Sequence, residues 1–163
     1  MALRFRKTGY GLVALLVVTI GARAAMGIIP FDKLVLGADL IVFGTILSVG
    51  PASKDYASPA GGSQHPEYSL SSVAELEVKN AIKGESTPRH LSIKFSSGED
   101  SPNYKRGEHV VSFLKHDPDQ KHYITVGMIQ GKYLIREGVV ERLNIPTNEF
   151  VNRIKDLMTV PQG

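Results

Sequence analysis

The stretch that decides the fold is LIVFGTILSV, residues 40–49. It is rich in β-branched and aromatic residues. The run lies between Asp39 and Gly50-Pro51. This composition and these limits predict a buried β-strand. Gly44 within the run predicts a bulge or a close approach of a neighbouring backbone.

Further strands follow on the C-terminal side of this run. Five segments show apolar alternation or β-branched content, namely 68–82, 91–95, 109–115, 123–128 and 131–136 with 139–140. Segment 68–82 is the clearest, because Ala74, Leu76 and Val78 alternate with charged residues. Pro, Ala, Ser and Gly dominate residues 50–67, which we expect to form a long flexible loop.

The two ends of the 25–163 region predict helices. Residues 31–36 follow Pro30 and can form one helical turn. After Pro146, Thr147 or Asn148 can cap a helix of about 147–158. Its apolar residues recur at spacings of three and four, namely Phe150, Val151, Ile154, Leu157 and Met158. We expect this helix to cover an open end or edge of the sheet. Short strands with one closing helix predict a mainly β fold, a small closed or partly closed antiparallel barrel.

The N-terminal 24 residues have the pattern of a secretory signal peptide. Three basic residues, Arg4, Arg6 and Lys7, precede an apolar run of roughly a dozen residues, whereas a membrane-spanning helix needs about 20. Ala22-Arg23-Ala24 then supplies small residues for cleavage. We therefore expect export to a bacterial periplasm or to the exterior, with a single mature domain over residues 25–163 and no transmembrane segment in it.

Charge and cysteine content limit the function classes. The chain has 19 Lys and Arg against 16 Asp and Glu, but the first 24 residues hold four of the basic residues and none of the acidic ones, leaving 15 against 16. The basic excess therefore belongs to the targeting segment, and we expect no nucleic-acid partner. The chain has no cysteine, and this excludes thiol chemistry, disulfide exchange and cysteine-bound zinc.

Four short motifs resemble a known group of proteins. They are residues 38–44 (ADLIVFG), Val78 with 82–84 (IKG), 107–114 (GEHVVSFL) and 131–133 (GKY). In these motifs the chain resembles exported bacterial proteins with an OB-like barrel, similar to the netrin and tissue-inhibitor-of-metalloproteinase modules. The resemblance implies a small OB-like barrel. Because the inhibitors of that group chelate zinc through an N-terminal cysteine, their mechanism does not transfer to this chain. Strict OB topology also expects a helix where residues 96–107 form a polar loop.

Two clusters interleave aromatic and basic residues. They are Tyr104-Lys105-Arg106 and Lys132-Tyr133. Such pairs can stack on a base or a sugar ring, so they are the candidate binding residues of a carbohydrate- or oligonucleotide-binding barrel.

The segment 116–122 is the candidate metal site. His116, Asp117, Asp119 and His122 are suitable ligand types for zinc or another divalent cation. Their spacing matches no metal motif, and Asp-Pro-Asp is also ordinary turn chemistry between antiparallel strands. A metal-assisted hydrolase built on this segment is therefore the alternative to a simple turn.

No catalytic motif stands out from the sequence, and no cofactor is expected. Serines are frequent, but none lies in a Gly-x-Ser-x-Gly or Ser-x-x-Lys pattern. The leading expectation is a non-enzymatic exported module that binds a protein or an envelope component. The partner and the oligomeric state do not follow from the sequence.

Overall fold

A computed structural model describes residues 27–52, 72–84, 87–96, 98–117 and 121–159. The predicted signal peptide, residues 1–24, and most of the predicted loop 50–67 lie outside these ranges. So does Asp119 of the candidate metal segment.

Two α-helices and eight strands make up the described part of the chain. In chain order they are α1 (Phe31–Gly37), β1 (Leu40–Pro51), β2 (Ser72–Lys83), β3 (His90–Phe95), β4 (His109–His116), β5 (Tyr123–Thr125), β6 (Lys132–Arg136), β7 (Val139–Val140), β8 (Ile145–Pro146) and α2 (Thr147–Thr159). A 3₁₀ turn at Met128–Gly131 links β5 to β6.

Five of the strands close into a barrel, and the predicted mainly β barrel with a C-terminal helix is confirmed. Around the barrel the order is β1, β2, β3, β5, β4, and β4 pairs back to β1. The closing pair is antiparallel and runs from Leu40 opposite Leu114 to Thr45 opposite His109. Only the short contact between β3 and β5 is parallel. Strands β6, β7 and β8 extend the sheet from the outer edge of β4.

The barrel interior and the helix-covered outer face form two separate cores. Because side chains alternate along a strand, Leu40 and Val42 point into the barrel with Leu114, whereas Ile41 and Phe113 point outward. All five side chains are buried. Burial on both faces explains why residues 40–43 are apolar without alternation.

Both helices lie on the outer face of β1, β4 and β6. Phe150 and Ile154 of α2 and Leu34 and Val35 of α1 belong to the same buried cluster as Phe113. The expected apolar stripe of α2 is thus confirmed. The helix covers the face of the sheet, however, and not an open end or edge. The sheet offers this surface because β1 and β4 are apolar on both sides.

Gly44 confirms the expectation of an irregular strand. The register between β1 and β2 shifts between Phe43 and Gly44. A β-carbon at Gly44 would overlap the carbonyl oxygen of Glu77 in β2, so only glycine allows the two backbones to come this close.

The fifth strand is shorter than predicted. Apolar residues 123–128 predicted a strand, but β5 ends at Thr125. Gly127 then adopts a left-handed conformation with φ of 64°, which turns the chain into the 3₁₀ segment. Within the described residues, neither helix is long and apolar enough to cross a bilayer.

Candidate functional site

Four aromatic rings meet between the helices and the sheet. Phe31 of α1, Phe113 of β4, Tyr133 of β6 and Phe150 of α2 pack edge to face or tilted. Their ring centroids lie 4.6 Å apart for Tyr133 and Phe150, 5.4 Å for Phe113 and Tyr133, and 5.5 Å for Phe31 and Phe150. These separations are favourable for aromatic pairs. The cluster therefore joins α1, α2 and the sheet into one packed floor.

Two cavities open above this floor. The first has a volume of about 480 Å³, and the second of about 490 Å³. Phe31 and Tyr133 line both cavities. The first also contacts Leu143, Phe150, Arg153, Asp156 and Leu157, and the second Ile28, Ile129, Asp100 and Arg142. We call the two cavities together the aromatic groove.

The rim of the aromatic groove carries exposed apolar side chains. Ile28 is 92% exposed, and Ile129 and Leu143 are each 42% exposed. Exposure of large aliphatic side chains to water is unfavourable, and a partner that covers them lowers the free energy. Three of them around one groove make a patch of the kind that marks interaction sites.

Arg142 lies across the aromatic floor. Its guanidinium carbon is 4.1 Å from the centroid of the Tyr133 ring, and an Nη donates a hydrogen bond of 2.9 Å to the carbonyl oxygen of Gln130. This is a cation–π contact made by an exposed arginine. Burial raises the pKa of the Tyr133 hydroxyl, and the neighbouring Arg142 opposes that shift. Tyr133 therefore stays protonated at neutral pH.

The segment before α1 is fixed at the edge of the groove. The Gln130 side chain accepts a hydrogen bond of 2.8 Å from the Ile29 amide and donates one of 3.2 Å to the Gly27 carbonyl. One side-chain amide thus forms hydrogen bonds with the backbone of two residues, as a neighbouring strand would. This contact places Ile28 beside the groove.

The aromatic members of the predicted binding clusters are buried. Tyr104 and Tyr133 are 3% and 4% exposed. The Tyr104 hydroxyl bonds to the side-chain oxygens of Ser112, at 3.1 Å, and Thr125, at 2.9 Å. Burial raises the pKa of Tyr104 to about 12. Its ring offers no open face to a base or sugar, whereas Tyr133 does line the aromatic groove.

The structure brings Tyr104 and Lys132 together but separates them from Tyr133. Lys132 Nζ lies 5.0 Å from the Tyr104 centroid and 2.5 Å from Glu108 Oε2. Tyr133 follows Lys132 in the chain and therefore points to the opposite face of β6. Lys105 and Arg106 line a different cavity of about 590 Å³ with His109 and Arg136. The oligonucleotide or carbohydrate function remains a prediction without a stacking platform at Tyr104.

The side chains of the described candidate metal ligands contact different groups. His116 contacts Asp39, with its amide nitrogen 3.0 Å and its Nδ1 3.5 Å from Asp39 Oδ2. Asp117 pairs with Lys94 at 2.8 Å. His122 is buried and its side chain lines a cleft with Ser48, Glu75 and Ser92. Within the described ranges no three carboxylate or imidazole groups converge on one point. Because Asp119 lies outside those ranges, the metal-assisted hydrolase stays a prediction.

The backbone contact between Asp39 and His116 has an electrostatic consequence. The hydrogen bond from the His116 amide, together with the His116 ring, holds the pKa of Asp39 below its usual value. Asp39 thus remains ionised and ties the start of β1 to the end of β4.

Sequence reasoning missed the aromatic groove because its walls come from distant segments. Phe150 and Leu157 were identified only as one apolar helix face, and Phe31 only as part of a helical turn. The sequence did indicate two helical segments, one before and one after the strands. Their relative position, however, depends on the fold. No protein-family model matches the chain, and no curated protein matches it either.

Proposed function

We propose that this protein is a binding module that receives an apolar segment of a protein partner in the aromatic groove. The observation that carries this proposal is the row of exposed apolar side chains, Ile28, Ile129 and Leu143, around a preformed aromatic floor. Three rings of the floor, Phe113, Tyr133 and Phe150, are already buried and packed, which supports binding with little ordering of side chains on this side of the interface.

The shape of the groove favours a chain segment over a compact small molecule. The two cavities lie side by side and share Phe31 and Tyr133, so several side chains of one partner can enter them together. Charged groups of both signs, including Arg153 and Asp156, stand at the edge. Apolar side chains bordered by charged groups are the usual anatomy of a protein interface.

A photo-crosslinking experiment tests the proposal with a matched pair of positions. A photoreactive amino acid replaces Leu143 at the groove or Leu47 on β1, since both side chains are 42% exposed. We expect one dominant protein adduct from position 143 in native cells, and its loss when the Ile129→Asp substitution is added. If position 143 yields no adduct beyond those of position 47, the groove is not the docking site.

Export is the second part of the proposal. The charged start, the short apolar run and the Ala22-Arg23-Ala24 site support cleavage of residues 1–24 and a periplasmic or extracellular location. The N-terminal residue of the protein purified from its native host is then expected to be Ala25. Protein that retains Arg4 in its mature form, recovered from the cytoplasm, would contradict export.

Kinship with OB-like barrels is the third part. The resemblance to the netrin and tissue-inhibitor modules is supported by the five-stranded closed order and by the parallel contact between β3 and β5. Fold kinship carries no activity with it. The proposed binding function therefore depends on the groove and not on the resemblance.

A further inference from the structure

The outer face of β1, β2 and β3 carries a row of polar side chains, Ser48, Glu75 and Ser92, that do not line the aromatic groove. Glu75 on β2 stands opposite Ser48 of β1 and Ser92 of β3 in the register of the sheet. Ser92 Oγ donates a hydrogen bond of 2.7 Å to Glu75 Oε1. Ala74 and Leu76, on either side of Glu75, are fully buried in the barrel, so Glu75 must point outward.

These side chains line a cleft of about 380 Å³. Val73 and Pro51 form its apolar part, and His122 contributes an imidazole. We call this site the polar cleft. Its volume falls within the range of small-molecule pockets, about 300–1,000 Å³, and far exceeds the space that a bare metal ion fills. One carboxylate and one imidazole are also fewer donors than the four of a typical zinc site.

Glu75 differs from Glu77 and Glu108 in having no cationic partner among the described residues. Glu77 lies two residues along the same strand face and binds Lys79 at 2.6 Å and Arg89 at 3.3 Å. Glu108 binds Lys132 at 2.5 Å. In the described part of the chain Glu75 has a single polar partner, the Ser92 hydroxyl.

A partly buried carboxylate without a counter-charge favours the approach of a cation. Partial burial removes water from the charge, and a neutral hydroxyl replaces only part of that lost stabilisation. Glu75 Oε2 accepts no hydrogen bond from a described residue, and the Ser48 hydroxyl is exposed at the cleft. The cleft therefore presents acceptors to a ligand that brings both donors and positive charge.

We propose that the polar cleft binds a molecular cation, an ammonium or guanidinium group, through Glu75, Ser48 and Ser92. An ammonium carries three donors and a guanidinium five, and neither is an acceptor. A neutral sugar is the less suitable ligand, since none of the described lining residues is Phe, Tyr or Trp. The group can belong to a free amine or to a lysine or arginine side chain of a protein. This site is separate from the aromatic groove, so either proposal can fail alone.

Binding is tested on the full mature chain by NMR titration. The probes are n-butylammonium, a blocked tripeptide with a central arginine, and n-butanol as the uncharged counterpart of the amine. We expect saturable shifts at Ser48, Glu75 and Ser92 with at least one of the two cations and none with butanol. Saturation by the amine shows that the cleft accepts an ammonium group, free or on a lysine side chain, and saturation by the peptide alone shows that it selects a guanidinium carried on a peptide.

A pair of variants separates the cleft from general surface charge. Glu75→Gln keeps the shape of the side chain and is expected to weaken cation binding roughly tenfold, the effect of losing a charge-assisted hydrogen bond. The matched control is Glu77→Gln on the same strand face, with an expected change below about twofold. The proposal is overturned if neither cation saturates the wild-type protein, if butanol binds equally well, or if both variants weaken binding to the same extent.

Discussion

Gly44 of β1 lies so close to Glu77 of β2 that a β-carbon on the glycine would overlap the Glu77 carbonyl oxygen and come within 3.2 Å of Leu76 Cδ1. Because a carbonyl in a strand cannot move aside cheaply, Gly44→Ala should lower the free energy of unfolding by about 1–3 kcal/mol. The measurement is chemical denaturation. Gly50→Ala in the same strand is the control, since a β-carbon there meets no atom within 4 Å. Equal midpoints for both variants would show that the approach is looser than described.

The ion pair between Lys94 and Asp117 is nearly buried, with side chains 7% and 13% exposed. Lys94→Met leaves the Asp117 carboxylate without this partner and should cost about 3 kcal/mol of stability in urea unfolding. Lys79→Met is the matched control, because Lys79 pairs with Glu77 but is 49% exposed. Its expected cost is below about 1 kcal/mol. A Lys94 variant as stable as the Lys79 variant would contradict this account.

The raised pKa of Tyr104 leads us to expect a loss of stability at high pH. Its pKa is raised to about 12 by burial, whereas an unfolded tyrosine ionises near 10. Below pH 10 both states are protonated. Between pH 10 and 12 only the unfolded state loses the proton, so the free energy of unfolding falls. At pH 11.5 the contribution is on the order of 2 kcal/mol.

Tyr104→Phe is the variant that isolates this effect. At pH 7 it should cost about 1–2 kcal/mol, because Ser112 and Thr125 lose their shared buried partner. It should then lose less stability than the wild type between pH 9.5 and 11.5 in urea unfolding. Parallel losses in the two proteins would rule out Tyr104 as the source.

Gln130 should control the order of the segment before α1. Gln130→Ala removes both hydrogen bonds to Gly27 and Ile29, so the Ile29 amide is expected to exchange faster with deuterium. Gln130→Glu keeps an acceptor for the Ile29 amide and should preserve most of its protection. The amide of Val111 in β4 serves as the internal control. If the Ala variant leaves Ile29 exchange unchanged, another contact holds the segment.

Most of the strands could be predicted because their patterns are local. The run 40–49, the alternation around Ala74 and Leu76, and the apolar face of α2 each depend on neighbours in the sequence. The predicted end of β5, residue 128, was wrong by three residues. Ile124, Val126 and Met128 are apolar, as in a strand, but Gly127 turns the chain.

The candidate sites could be predicted only in part. Tyr133 and Tyr104 were chosen by the same aromatic-basic pattern and both are buried, but of the two only Tyr133 lines the aromatic groove. Composition shows that an aromatic residue is present, not on which side of a strand it lies. Glu75 and Glu77 are likewise equivalent in sequence. Only their surroundings distinguish them, since Lys79 and Arg89 reach Glu77.

The sequence by itself determined the mainly β class, the position of the strands and the C-terminal helix, because hydrophobic period and turn residues act over a few positions. The tertiary structure decided that residues 40–43 are buried on both faces, that the helices cover the outside of β4, and that Phe31 meets Phe150 across more than a hundred residues. The aromatic groove and the polar cleft arise from such pairings. No local pattern encodes them, since they depend on closure of the barrel through β1 and β4.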